Sequence, residues 1–260
     1  MCYTCGMHLI CPVCGKPLIK TDRSAVCENR HSFDYAKSGY LNLLLKASAS
    51  TGDDRDMVSA RTVFLSTGSY AFLRDQLCRL IPDDGILADL GCGEGYYTSA
   101  FPCHEKYGFD LSKAALIHAA NHDHSTQYVL SSIFHLPLAN HTVKTAVTCF
   151  APATVEEIGR ILTDDGLFIH VTPGPDHLYE LKEILYEHVR LNPDKKLSKG
   201  LTYKDTVVIS NTFHADTDTL ISLFRMTPYA WRTGKDGIDK LKQAGEADIT
   251  AQFHIHIYAK

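Results

Sequence analysis

Two groups of residues have the types and spacing that carry chemistry. The first is Cys11-x2-Cys14 followed by Cys27-x3-His31. Three thiolates and one imidazole saturate a tetrahedral zinc ion and leave no open position, which points to one structural Zn2+. Gly15 frees the turn that wraps the ion. An earlier C-x2-C, Cys2 and Cys5 with His8 close by, lacks a downstream partner pair and reads as a tail. The second group is Asp89, Gly91, Gly93, Glu94 and Gly95, in the run D-L-G-C-G-E-G. Its glycines permit a tight turn and let a ligand touch backbone. A helix expected from about Tyr96 would point free N–H groups at that ligand. Asp110, nineteen residues after Gly91, stands where an acidic side chain accepts hydrogen bonds from ribose hydroxyls. The spacing is G-x-G-x-G rather than the dinucleotide G-x-G-x-x-G, and Asp89 precedes it. A carboxylate there suits the ammonium group of a sulfonium cofactor and repels a pyrophosphate. The expected cofactor is S-adenosyl-L-methionine.

These residues need a scaffold, and the apolar pattern supplies one. Residues 86–90, 107–110, 128–131, 145–150 and 167–171 read as short strands. Helices are expected over 112–121, capped by Ser112, and over 154–162 and 176–190. Alternating strands and helices imply an α/β fold, a parallel sheet covered on both faces. The carboxyl edge of such a sheet is where ligands gather. Upstream, apolar residues between 56 and 80 recur at helical spacing, and Gly68 divides them into two helices. Downstream, 206–213 reads as a strand and 216–226 as a helix. Residues 249–257 alternate apolar and polar, as a half-buried antiparallel last strand would. The polar stretch from Lys46 to Asp56 reads as a linker or exposed loop.

Composition narrows the class. No apolar run approaches 18 residues, so no membrane span is expected, and the first ten residues do not resemble a secretory signal. Nine cysteines, an odd number, fit a reducing cytoplasm better than a disulfide framework. Net charge is −4. Residues 1–46 hold six basic groups against three acidic, a local +3 that leaves −7 for the rest. A basic head on an acidic body suits an anion-seeking module attached to an enzyme.

The zinc-ligand set is followed by Phe33-Asp34, Ala36-Lys37 and a Gly39-to-Leu44 stretch reading G-Y-L-N-L-L. Further on come the run from Asp89 to Thr98, Thr172-Pro-Gly-Pro175 with His177-Leu178, and Met226-Thr-Pro-Tyr-Ala-Trp-Arg232. Together these resemble the bacterial 23S ribosomal RNA guanine-N1 methyltransferases of the RlmA type, from Ile10 to the end of the chain. The resemblance implies a Rossmann-like class I S-adenosylmethionine methyltransferase with a small N-terminal zinc-binding domain. It implies a zinc-binding RNA-recognition domain over 1–45, a linker and helices covering the cofactor site over 46–80, and the methyltransferase domain over 81–260. It also implies methyl transfer to N1 of a guanosine in a 23S rRNA hairpin of the exit tunnel, cytoplasmic action and a homodimer. It places Tyr70, Gly93, Glu94 and His177 at the cofactor, with Tyr70 closing over it. Two departures stand out. The linker after Leu45 lacks the family's basic run, and Ser132 stands where many related methyltransferases carry an acidic residue near the adenine.

Guanine N1 carries a proton that must leave, so a base is needed; His177, Asp176 and the carbonyls of residues 149–152 are the candidates. N1 lies on the pairing edge, so the nucleotide must be unpaired or flipped out. Trp231, Tyr229, Tyr96 and Phe150 are candidate stacking residues, with core packing expected for at least two of them. Arg55, Arg61 and Arg232 are candidate phosphate contacts. The competing readings are a methyltransferase for another RNA or a small molecule, and a zinc-dependent RNA-binding protein with an inactive methyltransferase fold.

Overall fold

The computed structural model describes residues 7–45, 53–197 and 199–260. Cys2, Cys5 and the linker residues 46–52 lie outside them. In chain order the elements are β1 (Leu18–Lys20), β2 (Ser24–Cys27), β3 (Ser32–Asp34), β4 (Leu41–Asn42), α1 (Arg55–Ser66), α2 (Ala71–Leu80), β5 (Ile86–Leu90) and β6 (Glu105–Asp110). There follow α3 (Lys113–His122), β7 (Thr126–Leu130), β8 (Val143–Cys149), α4 (Val155–Ile161), β9 (Leu162–Pro173) and α5 (Tyr179–Leu185). The chain ends with β10 (Thr202–Asp216), α6 (Thr217–Arg225), α7 (Tyr229–Ala244) and β11 (Glu246–Ala259).

Strands β1, β2 and β3 form a small antiparallel sheet. The large sheet has eight strands in the order β10-β11-β9-β8-β5-β6-β7-β4. Strands β4 to β9 run parallel within it, while β10 and β11 form a long antiparallel pair on its far edge. The chain runs outward from β5 through β6 to β7, then returns to lay β8 on the other side of β5. That switch point opens a crevice at the carboxyl edge, directly over the glycine run.

Short strands are dictated by the apolar runs; all five residues of β5 are buried. One face of the sheet is covered by α1, α2, α5, α6 and α7, through Phe64, Leu73, Leu77, Leu181, Leu223 and Leu241. On the other, Leu9, Leu18, Ala25 and Leu41 of the ribbon share one buried cluster with Phe109, Val129 and Phe168 of the sheet. The ribbon is further tied by the Ile10 amide, which donates to the Pro137 carbonyl at 2.9 Å, and by β4, which pairs with β7. Residues 41–42 fall before the boundary expected at 45, yet they extend the large sheet.

Four expectations need correction. No α-helix follows the glycine run; a single 3-10 turn spans Thr98–Ala100. Phe101 precedes Pro102, and the residue before proline is forced into extended backbone. Helix α5 stops at Leu185 rather than 190, because the chain doubles back: the Asn192 amide donates to the Pro175 carbonyl at 3.1 Å. The sixteen residues of α7 form a helix where none is expected, since two glycines inside them lower helix propensity. The last strand is not half-buried throughout: a strap of chain over residues 192–197 covers its polar face, and His256 is 1% exposed.

If β4 is part of the sheet's stability rather than a tether, Leu41→Ala should cost the whole protein about 2–5 kcal/mol, as emptying a buried leucine site usually does. Urea titration followed at the helices that cover the large sheet reads it. An unshifted midpoint would mean that the ribbon is an independent unit.

Candidate cofactor cleft and metal centre

The metal set is assembled by two knuckles. In the first, the Gly15 amide donates to the Cys11 carbonyl and the Cys11 amide to the Lys16 carbonyl, both at 2.8 Å. In the second, Arg30 takes a left-handed backbone (φ 64°) so that His31 can face Cys27. The four ligand atoms lie within 4.8 Å of one another. His31 Nδ1 is 3.5 Å from Cys11 Sγ and 3.4 Å from Cys27 Sγ, and the Cys14 and Cys27 sulfurs are 3.7 Å apart. Bonds of roughly 2.3 Å to sulfur and 2.0 Å to nitrogen demand tetrahedral edges of about 3.5 Å, so the donor set fits zinc. Hydrogen bonding from the Lys16 backbone holds the Cys14 thiol down at about 6, favouring the thiolate that zinc needs.

At the crevice, Gly91 and Gly95 adopt φ of 84° and 83°, a conformation costly for side-chain-bearing residues. Each also has no room for a Cβ: one on Gly91 would sit 2.5 Å from the Ala151 Cβ, and one on Gly95 2.5 Å from the Tyr128 hydroxyl. The loop is pinned by Asp110. Its two carboxylate oxygens accept from the Gly93 amide at 2.8 Å and the Ser112 amide at 2.7 Å. Each oxygen keeps a further lone pair for a ligand hydroxyl.

Asp89 is buried beneath the loop and accepts from Thr98 Oγ1 at 2.5 Å, while its other oxygen has no partner among the described residues. Burial pushes its carboxyl up to about 7. Glu94 is in the same state: burial raises it to about 7, the Arg61 guanidinium 3.8 Å away opposes the rise, and its Oε1 is unpartnered among the described residues. Burial also raises Asp110. Arg61 therefore does not serve as the expected phosphate contact. Its guanidinium is paired with Asp53 and turned toward Glu94, and the Asp53 carbonyl accepts from Ser112 Oγ at 2.6 Å. The start of α1 is thereby held across the rim.

His177 follows the turn at 173–175, which Asn192 secures by donating to the Gly174 and His177 carbonyls at 2.9 and 3.2 Å. The ring is buried, and desolvation lowers its pKa to about 3, so it stays neutral near pH 7. Its Nε2 is 3.4 Å from the Tyr70 hydroxyl. Tyr70 is itself enclosed, packed edge-on against Phe64 and Phe253 at centroid distances of 4.9 and 5.0 Å. Ser132 Oγ accepts from the Phe134 amide at 3.2 Å. Asp176 is exposed, with Gln252 donating to it at 3.4 Å.

Of the stacking candidates, Tyr96 packs on Tyr97 and Tyr229 on Tyr186, as expected for two of the four. Trp231 and Phe150 are 71% and 44% exposed. Phe150 also carries a left-handed backbone (φ 66°) at the end of β8, beside the Ala151 that touches the glycine loop. Thr98, Asp53 and Asn192 brace the site and are missed by sequence reasoning; only Thr98 has a local signal, at the end of the run that begins with Asp89. A cavity of about 210 Å³ borders the glycine loop between α1 and α3, lined by Thr62, Leu65, Glu94, Gly95, His118 and Tyr128. It shares Glu94 and Gly95 with the crevice, while Asp89, Asp110 and His177 do not line it.

A doubly covered sheet with this glycine loop, a buried carboxylate ahead of it and a closed zinc ribbon defines an S-adenosylmethionine-dependent methyltransferase of class I. Comparison with known proteins agrees. The RlmA N-terminal zinc-ribbon family matches residues 9–45, and a methyltransferase domain family matches 88–170. A 23S rRNA (guanine(748)-N(1))-methyltransferase of Streptomyces fradiae is 34% identical, over 88% of both chains. A relative from Bacillus subtilis (strain 168), named as a 23S rRNA (guanine-N(1)-)-methyltransferase, is 28% identical over 96% of both. Among solved structures, a type II methyltransferase of Anaeromyxobacter dehalogenans superposes with a TM-score of 0.52 at 18% identity, covering 72% of this chain and 94% of its own. The YcgJ protein of Bacillus subtilis gives 0.51 at 15%, covering 72% and 97%. The chain belongs to the RlmA-type 23S rRNA guanine-N1 methyltransferases. Among the described residues no helix is long and apolar enough to cross a membrane.

Asp89 makes a pH prediction. Its folded value lies above the ordinary 3.8, so its contribution to stability is full below about 3.8 and is lost as pH rises to about 7. The ligand-free protein should therefore lose Tm between about pH 4 and pH 7, and Asp89→Asn should flatten that slope in thermal melts. A slope unchanged by the substitution would show that Asp89 is ionised at no cost.

Proposed function

We propose that this enzyme transfers a methyl group from S-adenosyl-L-methionine to N1 of an unpaired guanosine in a 23S rRNA hairpin of the peptide exit tunnel. The observation that carries the reading is that kinship spans ribbon and methyltransferase alike, over 88% of the chain, rather than the widely shared catalytic fold alone. The ribbon's surface is in keeping: Lys16, Lys20, Arg23, Arg30 and Lys37 all reach solvent. A ribosomal substrate and reduced metal-binding thiols both suit action in the cytoplasm.

The cofactor supplies an electrophilic methyl on sulfur; the protein's part is alignment and charge. Asp110 and the amides of the glycine loop would hold the ribose, and Asp89 with Glu94, each with an unpartnered oxygen among the described residues, would face its cationic end. Gly91, Gly93 and Gly95 would give the backbone its approach, Ser132 would lie toward the adenine, and Tyr70 with His177 would close the methionyl side. The proton on guanine N1 goes to a base. Asp176 is the better placed of the two candidates, because its carboxylate is exposed beside the turn, whereas His177 is enclosed and committed to Tyr70. Phe150, exposed at the rim, offers a stacking face for the flipped guanine. The resemblance also carries a homodimer, which sedimentation equilibrium would read as twice 28.9 kDa.

Primer extension on 23S rRNA from cells with and without the gene tests the substrate. One N1-methyl stop should vanish with the gene, and unchanged stops throughout would defeat the assignment. Stacking is worth about 1–3 kcal/mol per base, so Phe150→Ala should lower kcat/KM for RNA roughly 5- to 150-fold while cofactor binding holds. Equal loss of both would instead make Phe150 part of the cofactor wall.

A further inference from the structure

The polar face of β11 contains a feature that the methyltransferase reaction does not use. His254 and His256 project from the same side of the strand, as residues two apart must. The strap over 192–197 lays Asp194 on them. Asp194 Oδ1 is 3.5 Å from His256 Nε2 and 3.8 Å from His254 Nδ1. All three donor atoms lie within 4.8 Å of one another. We propose that Asp194, His254 and His256 form a second metal site, for a divalent transition ion such as Zn2+, distinct from the cysteine site.

The separations support an ion better than direct contact. They are long for charge-assisted hydrogen bonds, which lie near 2.7–2.9 Å. They suit ligands on one tetrahedral ion, whose edges measure about 3.4 Å when bonds are roughly 2.0–2.1 Å. His256 is prepared for the role. Thr206 Oγ1 sits 2.9 Å from its Nδ1 and can accept that N–H, which leaves the Nε2 lone pair facing Asp194. Thr172 Oγ1, 3.3 Å from the same Nε2, adds a hydroxyl at the site. His170 lies alongside, its ring centroid 6.0 Å from that of His256, buried and with Nδ1 unpartnered among the described residues. An imidazole so placed is costly unless something pairs with it.

Two imidazoles and a carboxylate, with no sulfur, select a borderline ion such as Zn2+, Co2+ or Ni2+ over Mg2+ or Ca2+. Three protein donors leave a fourth position for water. Lys195 and Lys196 belong to the same strap, so their charge makes this site weaker than the thiolate site. A bound ion would pin the strap to β11. Asn192, two residues before Asp194, holds the Gly174 and His177 carbonyls, so the clamp would also steady the turn at the cofactor crevice.

The test is metal stoichiometry on untagged, full-length protein. Equilibrium dialysis against micromolar Zn2+, read by mass spectrometry of the metal, should give two ions per chain for the wild type. It should give one for Asp194→Asn/His254→Gln, whose positions are exposed and half-buried. Asp194→Asn alone, at a site that can hardly disturb folding, should weaken the second ion at least tenfold. Co2+ added to the one-zinc protein should produce d–d absorption without a thiolate charge-transfer band. One ion in the wild type, two in the double variant, or a thiolate band with the second equivalent would each overturn the proposal.

Discussion

Three carboxylates at one rim of the sheet, Asp89 and Glu94 buried and Asp110 half-buried, are the constraint to which the cofactor end of this molecule answers. Asp89, Glu94 and Asp110 each lose hydration, and burial raises all three. The chain meets that cost only in part. Thr98 donates to Asp89, two backbone amides donate to Asp110, and Arg61 stands by Glu94. Among the described residues, one oxygen of Asp89 and one of Glu94 are left without a hydrogen bond. A site built for stability alone would have been filled with apolar groups, which often do better than buried ions. Unmet acceptors at the switch point of a parallel sheet are what a cationic, hydroxyl-bearing ligand satisfies.

Helix α1 connects this rim to the rest of the cleft. Its first turn is fixed by the Asp53 carbonyl on Ser112 and by Arg61, and Asp54 caps it by accepting from the Met57 amide. Near its last turn, Phe64 packs on Tyr70, and Tyr70 reaches His177. One helix thus carries contacts to both ends of the cleft, the Arg61 pairings at its start and the aromatic wall around His177 at its end. The central strands between them, β5 above all, are buried on both faces.

Chemistry that depends on local spacing is legible in the sequence alone. Cys11, Cys14, Cys27 and His31 need only two tight turns to meet, and the glycine run needs only a strand ahead of it. Ser112 caps its helix as its side chain and position demand, accepting from the Ala115 amide. What the sequence hides is set by distant partners. Nothing in Leu41-Asn42 announces that two residues of the ribbon pair with β7, close to ninety positions later. Arg61 reads as a surface cation because its partners Asp53 and Glu94 are gathered only by the fold. His256 reads as solvent-facing because alternation reveals which residues share a face and not what later covers it. Helix α7 is obscured by its own glycines, and packing decides against their propensity.

The shared core of ribbon and sheet has a consequence for how a large, charged substrate could be held. A finger on a flexible linker would add affinity but leave the nucleobase to search for the cleft. Here Leu9, Leu18 and Leu41 are buried with Phe109, Val129 and Phe168, so the ribbon's exposed lysines and arginines stand at a fixed offset from the glycine loop. For RNA that offset matters more than the number of charges. Pulling a base from its stack costs a few kcal/mol, and binding energy from remote contacts offsets that cost only when the contacts and the cleft are engaged together. If the ribbon is the RNA-binding module proposed above, burial of a few leucines would turn a sequence-independent electrostatic grip into positioning of one nucleotide.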